Sequence, residues 1–386
     1  LWHTLSLHDA LPISREGTRG RGPNALAAAL VAAPVAGALV VAGALVGCAA
    51  IPEQKDAAFS YAVEAARDES FVDGARAAWS FVEQADPDDP RYDRGLRLVA
   101  SCAEGIGLEW AAGMLYREIA EVRRNPELVP VALEGIRRIV ESGPYDEDTL
   151  ITSFVAADEF SELSPRLREF VVFHQGLDLA RKGDDEWADA RFAELPDDSP
   201  YAAEARYVAA VRRVADGDYP GAIAQLEALG ERDDLGERLG RDVERTLGRL
   251  AFEERRYEDA LAHFERLRAI APEDPEILLE MAWTHYYLGD SRKALGLLVA
   301  LDAPVYRDFI SPERYLLEAL ALRRLCQFEA ARAAAVRLER RHGSAIEALF
   351  AGDLPAQIPE MRAAARRRGR SRTNALFLAE LRREIA

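Results

Sequence analysis

The residues able to do chemistry are few. Beyond residue 48 the histidines are His174, His263, His285 and His342, and none stands in an HExxH or other ligand spacing. A metal hydrolase needs two imidazoles one helical turn apart with a carboxylate base, and no such set is present. No GxSxG elbow occurs, so an activated serine has no platform. Gly105-Ile106-Gly107 is only a glycine pair in a turn between helical segments, because Trp110 stands where a phosphate loop would place its third glycine. The acidic run Asp86-Pro87-Asp88-Asp89 offers oxygens to calcium but lacks the Gly and terminal Glu of an EF-hand loop. Helix capping and solubility account for it better. These patterns ask for no metal and no cofactor, and an enzyme is not expected.

The elements that would position a site must come from 386 residues, 49% apolar and 30% charged, with a formal charge of −17. That length holds one large or two ordinary domains, and five Trp, 12 Tyr and 14 Phe can fill a sizeable core. The acidic balance argues against nucleic acid as a partner, since phosphate neutralisation needs a clustered basic surface. Basic residues are nearly all arginine; the only lysines are Lys55, Lys182 and Lys293.

Leu1–Ser14 match neither the composition nor the periodicity of the rest of the chain, and resemble translated sequencing-adapter read-through, so they are set aside from fold reasoning. Residues 15–47 have the layout of a secretory signal: Arg15, Arg19 and Arg21, then an uncharged apolar run from Ala25 to Gly47. The run ends in Leu45-Val46-Gly47-Cys48, which resembles a bacterial lipoprotein lipobox. The resemblance implies lipidation at Cys48, and Ala49 after the cysteine implies outer-membrane sorting with the body facing the periplasm. An uncleaved signal anchor is the alternative, though Pro34 and the many Ala and Gly residues make a poor permanent span. Residues 48–56 then read as a tether. Cys102 and Cys326 each fall inside a helical pattern and are expected to be small buried residues.

From Ala57 onward apolar residues recur at three and four, breakers separate the segments, and period-two alternation is absent, so an all-α chain is expected. Junctions such as Pro196-Asp197-Asp198-Ser199-Pro200 and Pro272-Glu273-Asp274-Pro275 carry the Asp, Ser and Pro that helix starts require. Ala188, Ala222, Ala260, Ala294 and Ala331 each open a second helix, at spacings of 34, 38, 34 and 37. In the unit from Arg241, Leu247-Gly248 occupy the close-packing positions of the first helix, Tyr257 and Ala260 open the second, Phe264 follows, and Pro272 ends the unit. Other units repeat the plan with Gly176, Trp187 and Phe192; Ala210, Tyr219 and Leu226; Ala282 and Leu298; and Ala319, Phe328 and Leu338.

A 34-residue period with two helices per unit resembles the tetratricopeptide repeat, which implies a right-handed α-solenoid. The resemblance covers residues 165–342. Residues 57–160 read as degenerate helical repeats, and 343–386 as C-terminal basic capping helices. His285 stands where the repeat usually has an aromatic, which makes it a core residue.

In this family the first helix of each unit lines a binding groove. Carried over position by position, the resemblance implies groove residues Arg245, Arg249 and Phe252 in one unit and Trp283, Tyr286 and Tyr287 in the next. Rings give rigid contact area and guanidinium gives a bidentate clamp, which suits an extended peptide with an acidic group. The same rings also suit packing between helices. Relatives that clamp a chaperone's C-terminal carboxylate use a Lys/Asn set that these repeats lack. The run Arg366, Arg367, Arg368, Arg370 and Arg372 reads either as a contact to an anionic envelope surface or as a solvated helix end.

The expected function is an envelope-anchored scaffold or adaptor for periplasmic or outer-membrane proteins or peptides, held to the membrane by its lipid. The alternative is a solute- or glycan-binding component of an uptake system, with Trp283, Tyr286 and Tyr287 stacking the ligand in a closed pocket.

Overall fold

The computed structural model describes residues 51–143, 150, 151, 155, 159–232, 235–306, 309, 311–365 and 369–385. The adapter-like stretch, the signal with Leu45, Val46, Gly47 and Cys48, and Arg366, Arg367 and Arg368 lie outside the described residues. Among the described residues there is no strand, and no helix is long and apolar enough to cross a membrane.

Two compact units are present. The first comprises the described residues from Ile51 to Leu195 together with those from Thr373 to Ile385. It contains α1 (Lys55–Arg67), α2 (Phe71–Gln84), α3 (Tyr92–Gly105), α4 (Glu109–Val122), α5 (Val129–Ser142), α6 (Pro165–Lys182) and α7 (Asp185–Phe192). The second, Pro196–Arg372, contains α8 (Ala202–Ala215), α9 (Tyr219–Gly230), α10 (Glu237–Glu253), α11 (Tyr257–Ile270), α12 (Pro275–Tyr287), α13 (Ser291–Ala300), α14 (Glu313–Arg324), α15 (Phe328–Ala351) and α16 (Pro359–Ala365). The last helix, α17 (Gly369–Ile385), joins the first unit from Thr373 onward. Consecutive helices pack against one another through each unit, giving an all-α solenoid of helical repeats.

The acidic junctions start the helices. Asp218, Asp274 and Asp290 each accept a hydrogen bond from a backbone N–H in the following first turn, at 3.0, 2.9 and 3.1 Å. Asp86 and Asp89 act likewise on Asp88 and Arg91, both at 3.0 Å. Asp89 also pairs with Arg91 at 3.1 Å and Lys55 at 2.9 Å, and these neighbours hold its carboxyl well below the usual carboxylate range.

Small residues let large ones in. A Cβ on Gly248 would lie 2.7 Å from Phe264 Cε1, and one on Gly176 would lie 2.5 Å from Phe192 Cε1. Both pairs are the first-helix glycine and second-helix aromatic of one unit, so the repeat register sets this contact. The markers Ala188, Ala222, Ala260 and Ala294 are fully buried. Polar contacts between successive units keep the same period. Arg138 meets Glu104 at 3.0 Å and the Tyr306 hydroxyl donates to the Pro272 carbonyl at 3.2 Å, each across 34 residues.

The last repeat departs from the expected plan. Ala319 and Ala331 are half-buried, Phe328 is 64% exposed, and the fully buried small residues are Ala321 and Ala334. The change of regime expected at Gly343 falls inside α15, which runs unbroken for 24 residues. Cys102 is buried in α3, but Cys326 is exposed, in the turn after α14 with φ of 59°. Its expected place inside a helix is therefore corrected: the chain must reverse there, and a left-handed residue does it. Both thiols are free.

The α3–α4 turn holds an anion from within the chain. Leu108 precedes α4 and gives no side-chain cap. The Glu384 carboxylate instead accepts from the backbone N–H groups of Trp110 at 2.7 Å and Ala111 at 3.1 Å. Arg383 donates to the Gly107 carbonyl at 2.8 Å, and Phe377 meets Trp110 edge to face at 4.6 Å. Burial pushes the Glu384 carboxyl up while the two N–H donors pull it down. No side chain from residue 376 to 385 is buried, so polar contacts and one ring hold this part of α17. Glu384→Ala should weaken docking by about 1–2 kcal/mol. Amide exchange at Trp110, Ala111 and residues 376–385 should then speed up about 5- to 30-fold with the other helices unchanged.

Candidate functional site

The groove residues implied by the repeat register come together on α10 and α12. Arg245, Arg249 and Phe252 follow one another by about a turn along α10, and Trp283, Tyr286 and Tyr287 close α12. Phe252 meets Tyr287 edge to face at 5.4 Å, and Trp283 lies 6.1 Å from both Tyr286 and Tyr287. Tyr257, at the start of α11, stacks on Tyr287 at 5.2 Å with 15° between the planes. Five rings from three helices thus form one continuous tier.

Burial divides the tier. Phe252 and Trp283 are 8% and 7% exposed and belong to the core shared by α10 to α14. Tyr257 and Tyr286 are half-buried, and Tyr287 is 48% exposed. Tyr287 therefore offers the largest free ring area in the tier. The Arg324 guanidinium lies 5.0 Å over the Tyr286 ring and donates to its carbonyl at 2.6 Å, fixing that ring against α14.

The arginines already meet carboxylates. Arg249 Nε donates to Glu280 Oε1 at 2.6 Å. Arg245 pairs with Asp274 and, at 3.3 Å, with Glu276. Burial alone would lower the pKa of Arg245, but Glu280, Asp274 and Glu276 together raise it above the ordinary value. Glu280 is 5% exposed, and its Oε2 has no hydrogen-bond partner. These ion pairs join successive repeats. A ligand carboxylate would have to compete with them, whereas the Tyr287 face is open.

The register reached the six positions but not Glu280 or the partner ring Tyr257. The separation of 31 residues between Arg249 and Glu280 is the one signal that pointed to the pair, being close to one repeat. Of the basic run, Arg370 and Arg372 fall within α17.

Two of the histidines lie in the core. His174 and His285 are each 8% exposed. Burial, reinforced by Arg181, pushes His174 down to about 3, and burial also lowers His285. His263 Nδ1 lies 2.8 Å from Glu244 on the preceding helix. Among the described residues no group of three or more His, Cys, Asp and Glu side chains is placed to hold a metal ion.

No curated protein matches the chain. Solved structures are similar to it, among them three helical-repeat chains. One, titled as a functional characterisation of Pseudomonas aeruginosa pilF, is 15% identical, with 60% of this chain and 92% of that chain covered and a TM-score of 0.36. A tetratricopeptide repeat protein from Parabacteroides merdae is 13% identical, with coverages of 74% and 92% and a TM-score of 0.31. The apo form of RapI is 11% identical, with coverages of 85% and 98% and a TM-score of 0.42. Residues 251–308 match the family model described as a tetratricopeptide repeat, which spans the α11–α12–α13 segment carrying Tyr257, Trp283, Tyr286 and Tyr287. Over that segment the chain is similar to the tetratricopeptide repeat, within an all-α solenoid of helical pairs.

Proposed function

We propose that this protein is a lipid-anchored scaffold of the bacterial envelope that binds a protein or peptide partner through the tier of rings on α10, α11 and α12. The observation that carries the binding role is Tyr287: a large ring 48% exposed, held at a fixed angle by Tyr257, Phe252 and Trp283. A ring whose rotamers are locked by its neighbours loses little entropy on binding, which is what an interface anchor requires. A helical solenoid presents such positions in series along its repeats.

Anchoring rests on Leu45-Val46-Gly47-Cys48 at the end of an apolar run. One acylated end attaches the body without crossing the bilayer. The tether of residues 48–56 then gives a reach of up to roughly 30 Å at about 3.3 Å per residue. Partners in the outer membrane and free in the periplasm both fall within it.

The uptake reading draws less support. Trp283 is buried among helices, so its faces are not open for a sugar to stack on.

Labelled palmitate is expected to enter the parent chain and not Cys48→Ser, which should also be released from sedimented envelopes. Label that survives the substitution sinks the anchor. Cross-linking of intact envelopes should capture a protein on the α12 face.

A further inference from the structure

Within the first unit, α17 rests on the α3–α4 turn as a ligand rests on a site. From residue 376 to 385 its half-buried residues are Phe377, Glu380, Leu381 and Glu384, whose spacing puts them on one face of the helix. The two ends of that face make the contacts. Phe377 meets Trp110 edge to face at 4.6 Å, and Glu384, two turns further on, accepts from the backbone N–H groups of Trp110 at 2.7 Å and Ala111 at 3.1 Å. Arg383 beside it donates to the Gly107 carbonyl at 2.8 Å.

The recognition elements belong to the turn. Where α9, α12 and α13 begin, the preceding Asp218, Asp274 or Asp290 caps the helix with its own side chain. Helix α4 instead follows Leu108, whose apolar side chain cannot accept, and its first N–H groups take a carboxylate brought from elsewhere. Gly107, at φ of 80°, makes the left-handed turn that leads there, and its carbonyl accepts from a cation. The turn therefore reads a carboxylate, a ring for Trp110 and a neighbouring positive charge.

Helix α17 fills this place without being locked into it. None of its side chains from 376 to 385 is buried, and Leu376, Leu378 and Ile385 are exposed. Apolar burial is what seats a helix permanently, and an element with little of it opens locally at a small fraction of the global unfolding free energy.

We propose that the α3–α4 turn is a docking site for an acidic–aromatic helix of a partner protein, one that carries a carboxylate two turns after an aromatic ring, and that α17 occupies the site in cis as a removable stand-in. A helix of the same pattern that also buries its apolar residues outcompetes α17. The α17 of a second copy gains nothing over the cis helix, because it brings the same contacts and adds the entropy cost of association. The site is independent of the ring tier on α10 to α12.

The test uses the full chain in two forms, the parent and Phe377→Ala with Glu384→Gln, which loosens the cis helix. Glu384→Gln alone serves if the double variant fails to fold. The probe is a fluorescein-labelled peptide of residues Gly369–Ile385, followed by anisotropy. It should bind the loosened chain saturably and the parent at least tenfold more weakly, since a tethered helix competes at an effective concentration of order millimolar. Amide exchange at Trp110 and Ala111 should slow as the peptide binds. A peptide carrying Glu384→Gln should lose about tenfold in affinity, the loss of charge at a hydrogen-bonded carboxylate. No saturable binding up to about 1 mM, or equal affinity for parent and loosened chain or for the two peptides, would overturn the site. Sedimentation of the parent distinguishes the occupant: a dimer that Glu384→Gln dissolves would put a second copy's α17 on the turn and overturn the assignment to a partner.

Discussion

Phe264→Ala is expected to cost about 3–5 kcal/mol and to unfold the segment around α10 to α12 first, because a fully buried aromatic is replaced by a cavity that its neighbours cannot fill. Phe264 is 0% exposed and sits on Gly248, whose missing Cβ leaves the room that the ring occupies. Collapse into the hole would require α10 and α11 to approach more closely, and at Gly248 there is no side chain left to remove. The loss should appear in urea unfolding followed by far-UV circular dichroism, as a drop of the first midpoint. Repeat arrays unfold through neighbour contacts, so a transition broader than that of the parent is also expected. An unchanged first midpoint would show that the contact between glycine and aromatic does not hold the repeat together.

Arg249→Ala is expected to cost about 2–4 kcal/mol for a different reason. Glu280, 5% exposed, would lose the guanidinium that meets its Oε1 at 2.6 Å while its Oε2 already lacks a partner. Removing one member of a buried ion pair costs about 3–5 kcal/mol, less here because Arg249 keeps 22% side-chain exposure. The double substitution Arg249→Met with Glu280→Leu removes both charges and should recover most of the loss. Measured by the same unfolding curves, a cycle with no coupling between the two positions would contradict the pairing.

These effects separate the roles that the repeat register had left together. That the six positions fall on α10 and α12 was legible in the sequence, because the family's spacing fixes where each stands in its first helix. Which of them stays open was not legible. Phe252 and Trp283 are covered by rings and helices from neighbouring repeats, and the carboxylate that meets Arg249 comes from the next repeat. Only tertiary packing decides that.

The repeat itself was legible where a following unit covers it. Ala188, Ala222, Ala260 and Ala294 are buried as the spacing requires, but Ala331 is not, because α15 continues as one long helix and packing shifts to Ala334, His342 and Ala345. Cys326 was misplaced because a left-handed, non-glycine turn leaves no mark on apolar periodicity. Gly105-Ile106-Gly107 closes α3 and forms the turn that leads to α4. The helix start beside it holds an anion, supplied by Glu384 from more than 270 residues away.

The central claim is that the ring tier ending in Tyr287 is the partner-binding surface. Envelopes carrying the parent, Tyr287→Ala or Val299→Ala can be cross-linked in intact cells and the chain recovered. Val299, 66% exposed on α13, serves as a surface control. Tyr287 is open enough that its truncation should leave the fold intact by circular dichroism, so a loss of partner reads as a loss of contact. The account predicts one partner recovered with the parent and with Val299→Ala, and reduced about tenfold or more with Tyr287→Ala, as for an interface anchor worth about 1.4 kcal/mol or more. Equal recovery with all three chains would contradict it.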